Sequence, residues 1–153
     1  MFAYNFLLAG IPYEFFVATM KAKGLDKDAY ISLQFVLEDG GPWSDPVPLI
    51  EGKSKKGKTY SKVVYLPSEP VQVKISTTNA TESWGFWKLW FTFYDEMSNE
   101  CDVVLVEDPS GHRGHARPTG RKNGDDGWEA YWLGQDSSLE LVYSIGKSQL
   151  TGM

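Results

Sequence analysis

The strongest constraint on the fold is a two-residue alternation of apolar and polar side chains in short segments separated by turn residues. In Ala29–Leu37 every second residue from Ile31 onward is apolar, and Val71–Thr77 repeats the pattern around Ile75. Successive side chains of a β-strand point to opposite faces of its sheet, so this pattern predicts half-buried strands. We expect Leu33 and Ile75, each in mid-strand, to lie in the core.

The rest of the chain predicts more short strands and no helical stripe of useful length. Aromatic residues make up 14% of the sequence, and 15 glycines and 8 prolines punctuate it, which favours sheets over a helix bundle. Prolines beside Val47–Ile50 place that strand at a sheet edge. The prediction is an all-β, antiparallel β-sandwich of two sheets with about eight strands, forming one domain over 1–153 with a loose tail at 146–153. The other predicted strands are Tyr13–Met20, Lys62–Leu66, Trp84–Tyr94, Cys101–Val106, Trp128–Leu133 and Leu139–Ile145.

Charge and reactive residues exclude several classes of function. There are 15 Lys plus Arg against 20 Asp plus Glu, a formal net charge of -5, which disfavours nucleic acid as a partner. The lone Cys101 allows neither an intrachain disulfide nor a cysteine-based zinc site. His112 and His115 lie in a Gly- and Arg-rich loop, which is a poor holder for a catalytic base. We therefore expect no enzyme activity.

The targeting signals are few. No apolar run approaches the roughly 20 residues that a membrane span needs. The apolar segment Met1–Gly10 lacks a positively charged start and is interrupted early by Tyr4 and Asn5, so it predicts a first strand or packed arm rather than a signal peptide. These features favour a cytoplasmic or peripheral membrane location.

Acidic and amide side chains in two predicted loops form a candidate metal site. Asp26 and Asp28 precede one strand, and Asn79 and Glu82 precede Trp84. Loops from distant parts of a sandwich can converge at one end, and calcium binds several carboxylate and carbonyl oxygens from neighbouring loops. The sequence thus predicts calcium as a cofactor, bound by these residues. The alternative is that they only form turns.

Three tryptophans of the most aromatic strand are candidate binding residues. Strict alternation along Trp84–Tyr94 places Trp87 on a uniformly apolar, core-facing side and Trp84 and Trp90 on a mixed side. Exposed tryptophans on the mixed side can enter a lipid interface or stack on a sugar or a peptide. The alternative is that most of them are covered by core or loop.

A lysine-rich segment is the second candidate binding element. Glu51–Lys62 reads as a basic, glycine-punctuated loop that carries Lys55, Lys56 and Lys58. Each lysine near an anionic membrane contributes up to about 1 kcal/mol of attraction. The alternative is a solvated hairpin tip.

The order of several segments resembles the PLAT (lipoxygenase homology) family. GLDKDAYISL resembles the glycine, acidic pair and strand of that family, EDGGPWSDPVPL its Gly-rich turn and short strand, and VQVKISTTNATESW its strand, Asn-containing loop and Trp. LWFTFYD resembles the next strand and GWEAYWLG the close of the domain, so that the resemblance spans roughly 11–135. Leu25 stands where the family often has Thr, and the aromatic run is richer than usual.

The resemblance implies an eight-stranded sandwich that acts as a non-catalytic binding module for a membrane lipid surface or a protein partner, sometimes with calcium. Position by position, Asp26 and Asp28 match the acidic loop, Asn79 the second loop, and Trp84 an exposed aromatic at the loop base. Two other classes stay open. One is a carbohydrate-binding module that presents its aromatic residues to a glycan. The other is a structural subunit whose aromatics and sheet edges are buried by self-association.

Overall fold

In the computed structural model, the residues described are 10–19, 27–38, 40–52, 55, 57–79, 84–107, 131–133 and 139–146. They form nine β-strands and no helix, so no transmembrane-length apolar helix occurs in this part of the chain. The strands are β1 Ile11–Thr19, β2 Tyr30–Leu37, β3 Val47–Glu51, β4 Thr59–Leu66, β5 Pro70–Thr78, β6 Trp84–Tyr94, β7 Glu100–Glu107, β8 Tyr131–Leu133 and β9 Glu140–Ser144.

The strands form two antiparallel sheets, which confirms the predicted β-sandwich. The larger sheet has the order β4-β1-β6-β7, with β8 paired to the beginning of β6, and the smaller has the order β3-β2-β5-β9. β3 is an edge strand, as its prolines predicted. The predicted strand Lys62–Leu66 is present, but β4 begins three residues earlier at Thr59, so the last part of the predicted basic loop is strand.

The core lies between the sheets and is largely aromatic. The rings of Phe15 from the larger sheet and Phe35 from the smaller are 4.9 Å apart, and Phe15 also contacts Phe91 at 5.0 Å. Leu33 and Ile75 are cross-strand partners and are fully buried, as predicted. Alternation therefore gave the correct inward faces of β2 and β5.

Strict alternation fails in β6 because the strand contains a β-bulge. Thr19 of β1 pairs with Phe86, whereas its neighbour Ala18 pairs with Lys88, so Trp87 is an extra residue on the β6 side. An inserted residue reverses the phase of the side chains beyond it. Leu89, Phe91 and Phe93 point into the core as predicted, but Trp84 and Phe86 are buried as well, contrary to their predicted place on the mixed face. Trp87 is half-buried rather than part of the core.

A glycine closes one end of the larger sheet. Gly10 has a φ of +87°, and a Cβ atom there would lie 2.7 Å from the main-chain oxygen of Leu66. Only glycine adopts this conformation and tolerates this approach without strain. The contact holds the beginning of β1 against the end of β4.

Candidate functional site

One end of the sandwich, which we call the loop end, gathers part of the predicted metal site. Tyr30 pairs with Thr78, so Asp28 and Asn79, which lie just beyond them, occupy neighbouring positions at the same end of the smaller sheet. Both are exposed, and Asn79 has a φ of 63°. Asp26 and Glu82 fall outside the described residues, among which no group of three or more His, Cys, Asp or Glu could hold a metal ion.

The lysine-rich segment is fixed to the same end through its main chain. The Thr19 hydroxyl donates hydrogen bonds to the main-chain oxygens of Lys58, at 2.7 Å, and Lys55, at 3.2 Å. The main-chain N–H of Lys55 donates to Tyr60 Oη at 2.8 Å, and Lys58 Nζ lies 5.1 Å from the Tyr60 ring centroid. Lys55 and Lys58 are exposed on this fixed loop; Lys56 falls outside the described residues.

The loop end also depends on a second glycine. Gly52 has a φ of +74°, and its N–H donates to the main-chain oxygen of Ala29 at 2.8 Å. A Cβ atom at Gly52 would lie 2.8 Å from the Lys27 oxygen. This contact holds the beginning of the lysine segment beside the residues that precede β2.

Trp84 is not the exposed aromatic that the family resemblance implied. Its side chain is 1% exposed and contacts the Phe86 ring at 5.8 Å. Its Nε1–H is buried and has no acceptor among the described residues. The bulge at Trp87 is the physical reason, since it turns this part of β6 inward. A buried indole cannot supply the interfacial insertion expected of Trp84.

Trp90 belongs instead to an apolar strip on the outer side of the larger sheet. Its ring stacks on Phe16 of the adjacent strand, with centroids 5.0 Å apart and planes 8° from parallel, and Lys88 Nζ lies 4.5 Å from the Trp90 centroid. In the register, one row across the four paired strands contains Ser61, Phe16, Trp90 and Val104. The next row contains Val63, Glu14, Thr92 and Asp102, and it separates the Phe16–Trp90 pair from Tyr65 and Tyr94. We call the apolar and aromatic side chains of this outer side the aromatic face; its members are Phe16, Val63, Tyr65, Trp90, Tyr94 and Val104.

The aromatic face contrasts with the outer side of the smaller sheet. There, Lys74 forms an ion pair with Glu140 at 3.4 Å and its Nζ lies 4.3 Å from the Trp43 ring centroid. Gln34 Nε2 donates to the main-chain oxygen of Ser44 at 2.9 Å. Polar groups thus dominate that side, although Tyr30 and Val142 are exposed on it. On the larger sheet, Val63, Tyr65 and Tyr94 are 45%, 57% and 61% exposed.

At the end opposite the loop end, a cleft of about 510 Å³ opens beside the turn that joins β6 to β7. Its apolar walls are Ile11, Tyr13, Phe93, Tyr94 and Met97, and its acidic residues are Glu69, Asp95 and Glu96. Within the part of the chain that the structure describes, no lysine or arginine lines it. We call it the turn cleft.

Hydrogen bonds from the turn fix the Asp95 carboxylate. Asp95 Oδ1 accepts the main-chain N–H groups of Met97 and Asn99, each at 2.9 Å. These bonds, that of Asn99 first, hold the pKa of Asp95 below its usual value. Burial, and then the negative charges of Glu69 and Glu38, raise the pKa of Tyr13 to about 12. The turn cleft thus combines the negatively charged Asp95 carboxylate with the neutral phenol of Tyr13.

The residues considered for catalysis gain no support. His112 and His115 fall outside the described residues. Cys101 is half-buried in β7, with its Sγ 3.9 Å from Asp95 Oδ2. Desolvation, and then the Asp95 charge, raise the pKa of the thiol, which keeps it in the unreactive protonated form at neutral pH.

Sequence reasoning missed the turn cleft. Its acidic residues come from two separate places, Glu69 before β5 and Asp95–Glu96 after β6. The available signal was the acidic pair directly after the aromatic strand, in YDEM. Its link to Ile11 and Tyr13 requires knowing that β1 lies beside β6.

Comparisons with known proteins bear on the fold. No protein-family model matches the chain, and no curated protein matches its sequence. Among solved structures, the chain is similar to a calcium-dependent 11R-lipoxygenase, at 15% identity and a TM-score of 0.51, over 90% of this chain and 17% of that one. It is also similar to a LOX deletion variant, at 12% identity and a TM-score of 0.52, over 88% of this chain and 16% of that one. The described fold therefore occurs within proteins more than five times as long.

Proposed function

We propose that this chain is a non-catalytic, PLAT-like binding module that contacts a protein partner through the aromatic face. The observation that carries the proposal is the stacked, half-buried Phe16–Trp90 pair on the outer side of a sheet where Val63, Tyr65, Tyr94 and Val104 are exposed. Large exposed apolar patches on soluble domains mark interaction sites. The order of the sequence segments and the fold likeness to lipoxygenases both support the family assignment.

The composition of the aromatic face favours a protein over a membrane or a glycan. Glu14, Glu100 and Asp102 outnumber Lys88 on the outer side of this sheet, so an anionic membrane would be repelled from it. Two of the four exposed members, Val63 and Val104, offer no hydrogen-bonding groups to sugar hydroxyls, whereas Tyr65 and Tyr94 each offer one hydroxyl. Apolar and aromatic side chains beside acidic groups suit a partner that presents apolar and basic side chains.

The test uses a phage-displayed library of random peptides selected on the wild-type protein. A face variant carries Val63→Ser, Tyr65→Ser and Val104→Ser, all exposed side chains. A matched control variant carries Tyr30→Ser and Val142→Ser, the exposed apolar residues of the smaller sheet. Selected peptides should bind the wild type and the control variant equally and lose at least about tenfold in affinity for the face variant.

Two results would overturn this proposal. One is a selected peptide set that binds the face variant as tightly as the wild type. The other is a glycan array in which binding depends on the same three side chains while no peptide is enriched, which would establish the carbohydrate-binding alternative.

A second candidate function is supported at the loop end. Lys55 and Lys58 are exposed on a loop at the same end of the sandwich as Asp28 and Asn79, so a peripheral contact with anionic lipid, assisted by calcium, is our alternative proposal. Cosedimentation with phosphatidylcholine vesicles, with and without phosphatidylserine, tests the lipid contact. Lys55→Gln with Lys58→Gln should abolish binding to the anionic vesicles. Binding that is unchanged by these substitutions, or equal for both vesicle types, would contradict it.

Calcium has its own test. A cation that binds only the native state raises the melting temperature. We expect such a rise with millimolar calcium, and its loss in Asp28→Ala with Asn79→Ala. The control is Asp45→Asn, an exposed acidic residue elsewhere in the smaller-sheet layer. Calorimetry that detects no heat of binding would remove calcium from the proposal.

A further inference from the structure

We propose that the turn cleft is a pocket for an arginine side chain of a protein partner. This inference depends on the proposed function in one respect, which is that the arginine belongs to a protein partner. The cleft volume of about 510 Å³ lies within the range of roughly 300–1,000 Å³ that is typical of ligand sites.

The chemistry of the walls selects a cation. Glu69, Asp95 and Glu96 line the cleft, and no basic side chain stands beside them among the described residues that form its walls. Hydrogen bonds from Met97 and Asn99 commit Asp95 Oδ1 to the turn, which fixes one of these charges in place. A cation that enters the cleft gains the attraction of all three carboxylates.

The aromatic walls favour arginine over the other cations. The ring centroids of Tyr13 and Phe93 lie 5.9 Å apart, but these rings are only 2% and 8% exposed. The ring open to stacking is that of Tyr94, which also lines the cleft and is 61% exposed. Tyr13 is 2% exposed, yet its hydroxyl forms no hydrogen bond with the other residues that line the cleft. A guanidinium group stacks on aromatic rings and donates paired hydrogen bonds to carboxylates, whereas a quaternary ammonium has no donor.

The position of the cleft suits a ligand that also touches the aromatic face. Tyr94 lines the turn cleft and belongs to the aromatic face, and a smaller depression of about 130 Å³ lies between Val63, Glu14 and Tyr94. One extended segment could place an apolar side chain on the face and an arginine in the cleft. The two contacts remain separable by mutation because Val63, Tyr65 and Val104 do not line the cleft.

The experiment titrates ¹⁵N-labelled protein with N-acetyl-arginine amide and follows the backbone amide shifts. The matched ligand is N-acetyl-citrulline amide, which has nearly the same shape and no charge. The cleft variant is Glu69→Gln with Glu96→Gln. The control is Glu51→Gln with Glu107→Gln, which removes the same charge from exposed sites elsewhere. Asp95 is left intact because it holds the turn.

Arginine amide should give saturable shifts at Glu69 and at 94–97, and citrulline amide should give none. Affinity should fall at least about tenfold in the cleft variant and stay within twofold or so in the control. The face variant should keep its affinity for arginine amide, even though we expect it to lose peptide binding. If the selected peptides bound the face variant as tightly as the wild type, the proposed function would be wrong. The arginine pocket would still be supported by the titration with arginine amide.

Three outcomes would overturn the pocket. Equal binding of citrulline amide would show that charge does not matter. Shifts centred on the loop end would place the cation elsewhere. Choline binding as tightly as arginine amide would replace arginine with a quaternary ammonium, such as a lipid headgroup.

Discussion

The burial of Phe86 gives the sharpest test of the bulge in β6. Strict alternation places Phe86 and Tyr94 on the same side of the strand, whereas the bulge at Trp87 buries Phe86 completely and leaves Tyr94 61% exposed. Burying a phenylalanine side chain contributes about 1.5–3 kcal/mol, and its ring contact with Trp84 at 5.8 Å adds roughly 0.5–1.5 kcal/mol. With the cavity that truncation leaves, Phe86→Ala should cost about 3–5 kcal/mol.

Urea denaturation of the wild type, Phe86→Ala and Tyr94→Ala provides the measurement. Tyr94→Ala should change the free energy of unfolding by less than about 0.5 kcal/mol, because its side chain is mostly in water. Two results would mean that the side chains of β6 do not change sides at Trp87. One is an equal loss of unfolding free energy in the two variants, and the other is a loss below about 1 kcal/mol for Phe86→Ala.

Three further predictions concern the core, the turn and the thiol. Leu33→Ala and Ile75→Ala should each cost about 2–5 kcal/mol in the same assay, and their double variant should deviate from additivity because the two residues are cross-strand partners. The pKa of Asp95 is lower in the folded protein than in the unfolded chain, so the Asp95 carboxylate stabilises the fold. This stabilisation is complete above the unfolded pKa of about 4 and is lost as the pH falls through the folded pKa. The urea midpoint of Asp95→Ala should therefore decline less in acid than that of the wild type. Iodoacetamide should modify Cys101 more slowly than a free thiol at neutral pH and faster after Asp95→Asn; modification at the free-thiol rate would contradict the raised pKa.

Much of the fold followed from local patterns. The inward faces of β2 and β5 and the edge position of β3 were predictable, because side-chain alternation and proline act within one strand. Which side chains of β6 face the core was not predictable along its whole length. Trp87 is an extra residue only because its neighbours Lys88 and Phe86 pair with Ala18 and Thr19 of β1. The error moved Trp84 and Phe86 to the wrong face.

The candidate site was less predictable than the fold. Asp28 and Asn79 reach the same end because β2 and β5 are neighbours, a pairing that only the structure shows. The aromatic face needs the order β4-β1-β6-β7, since its members come from all four strands. The turn cleft likewise combines residues from β1, the beginning of β5 and the β6–β7 turn, and no single segment contains its pattern.

The most direct test of the central claim is the footprint of a peptide selected on the wild-type protein, read from backbone amide signals of the ¹⁵N-labelled chain. The account predicts broadened or shifted signals at 61–65, Phe16, Trp90 and Val104, on the outer side of the larger sheet. A footprint confined to 27–30, 55–58 and 78–79, with the sheet signals unchanged, would contradict it and place the binding surface at the loop end.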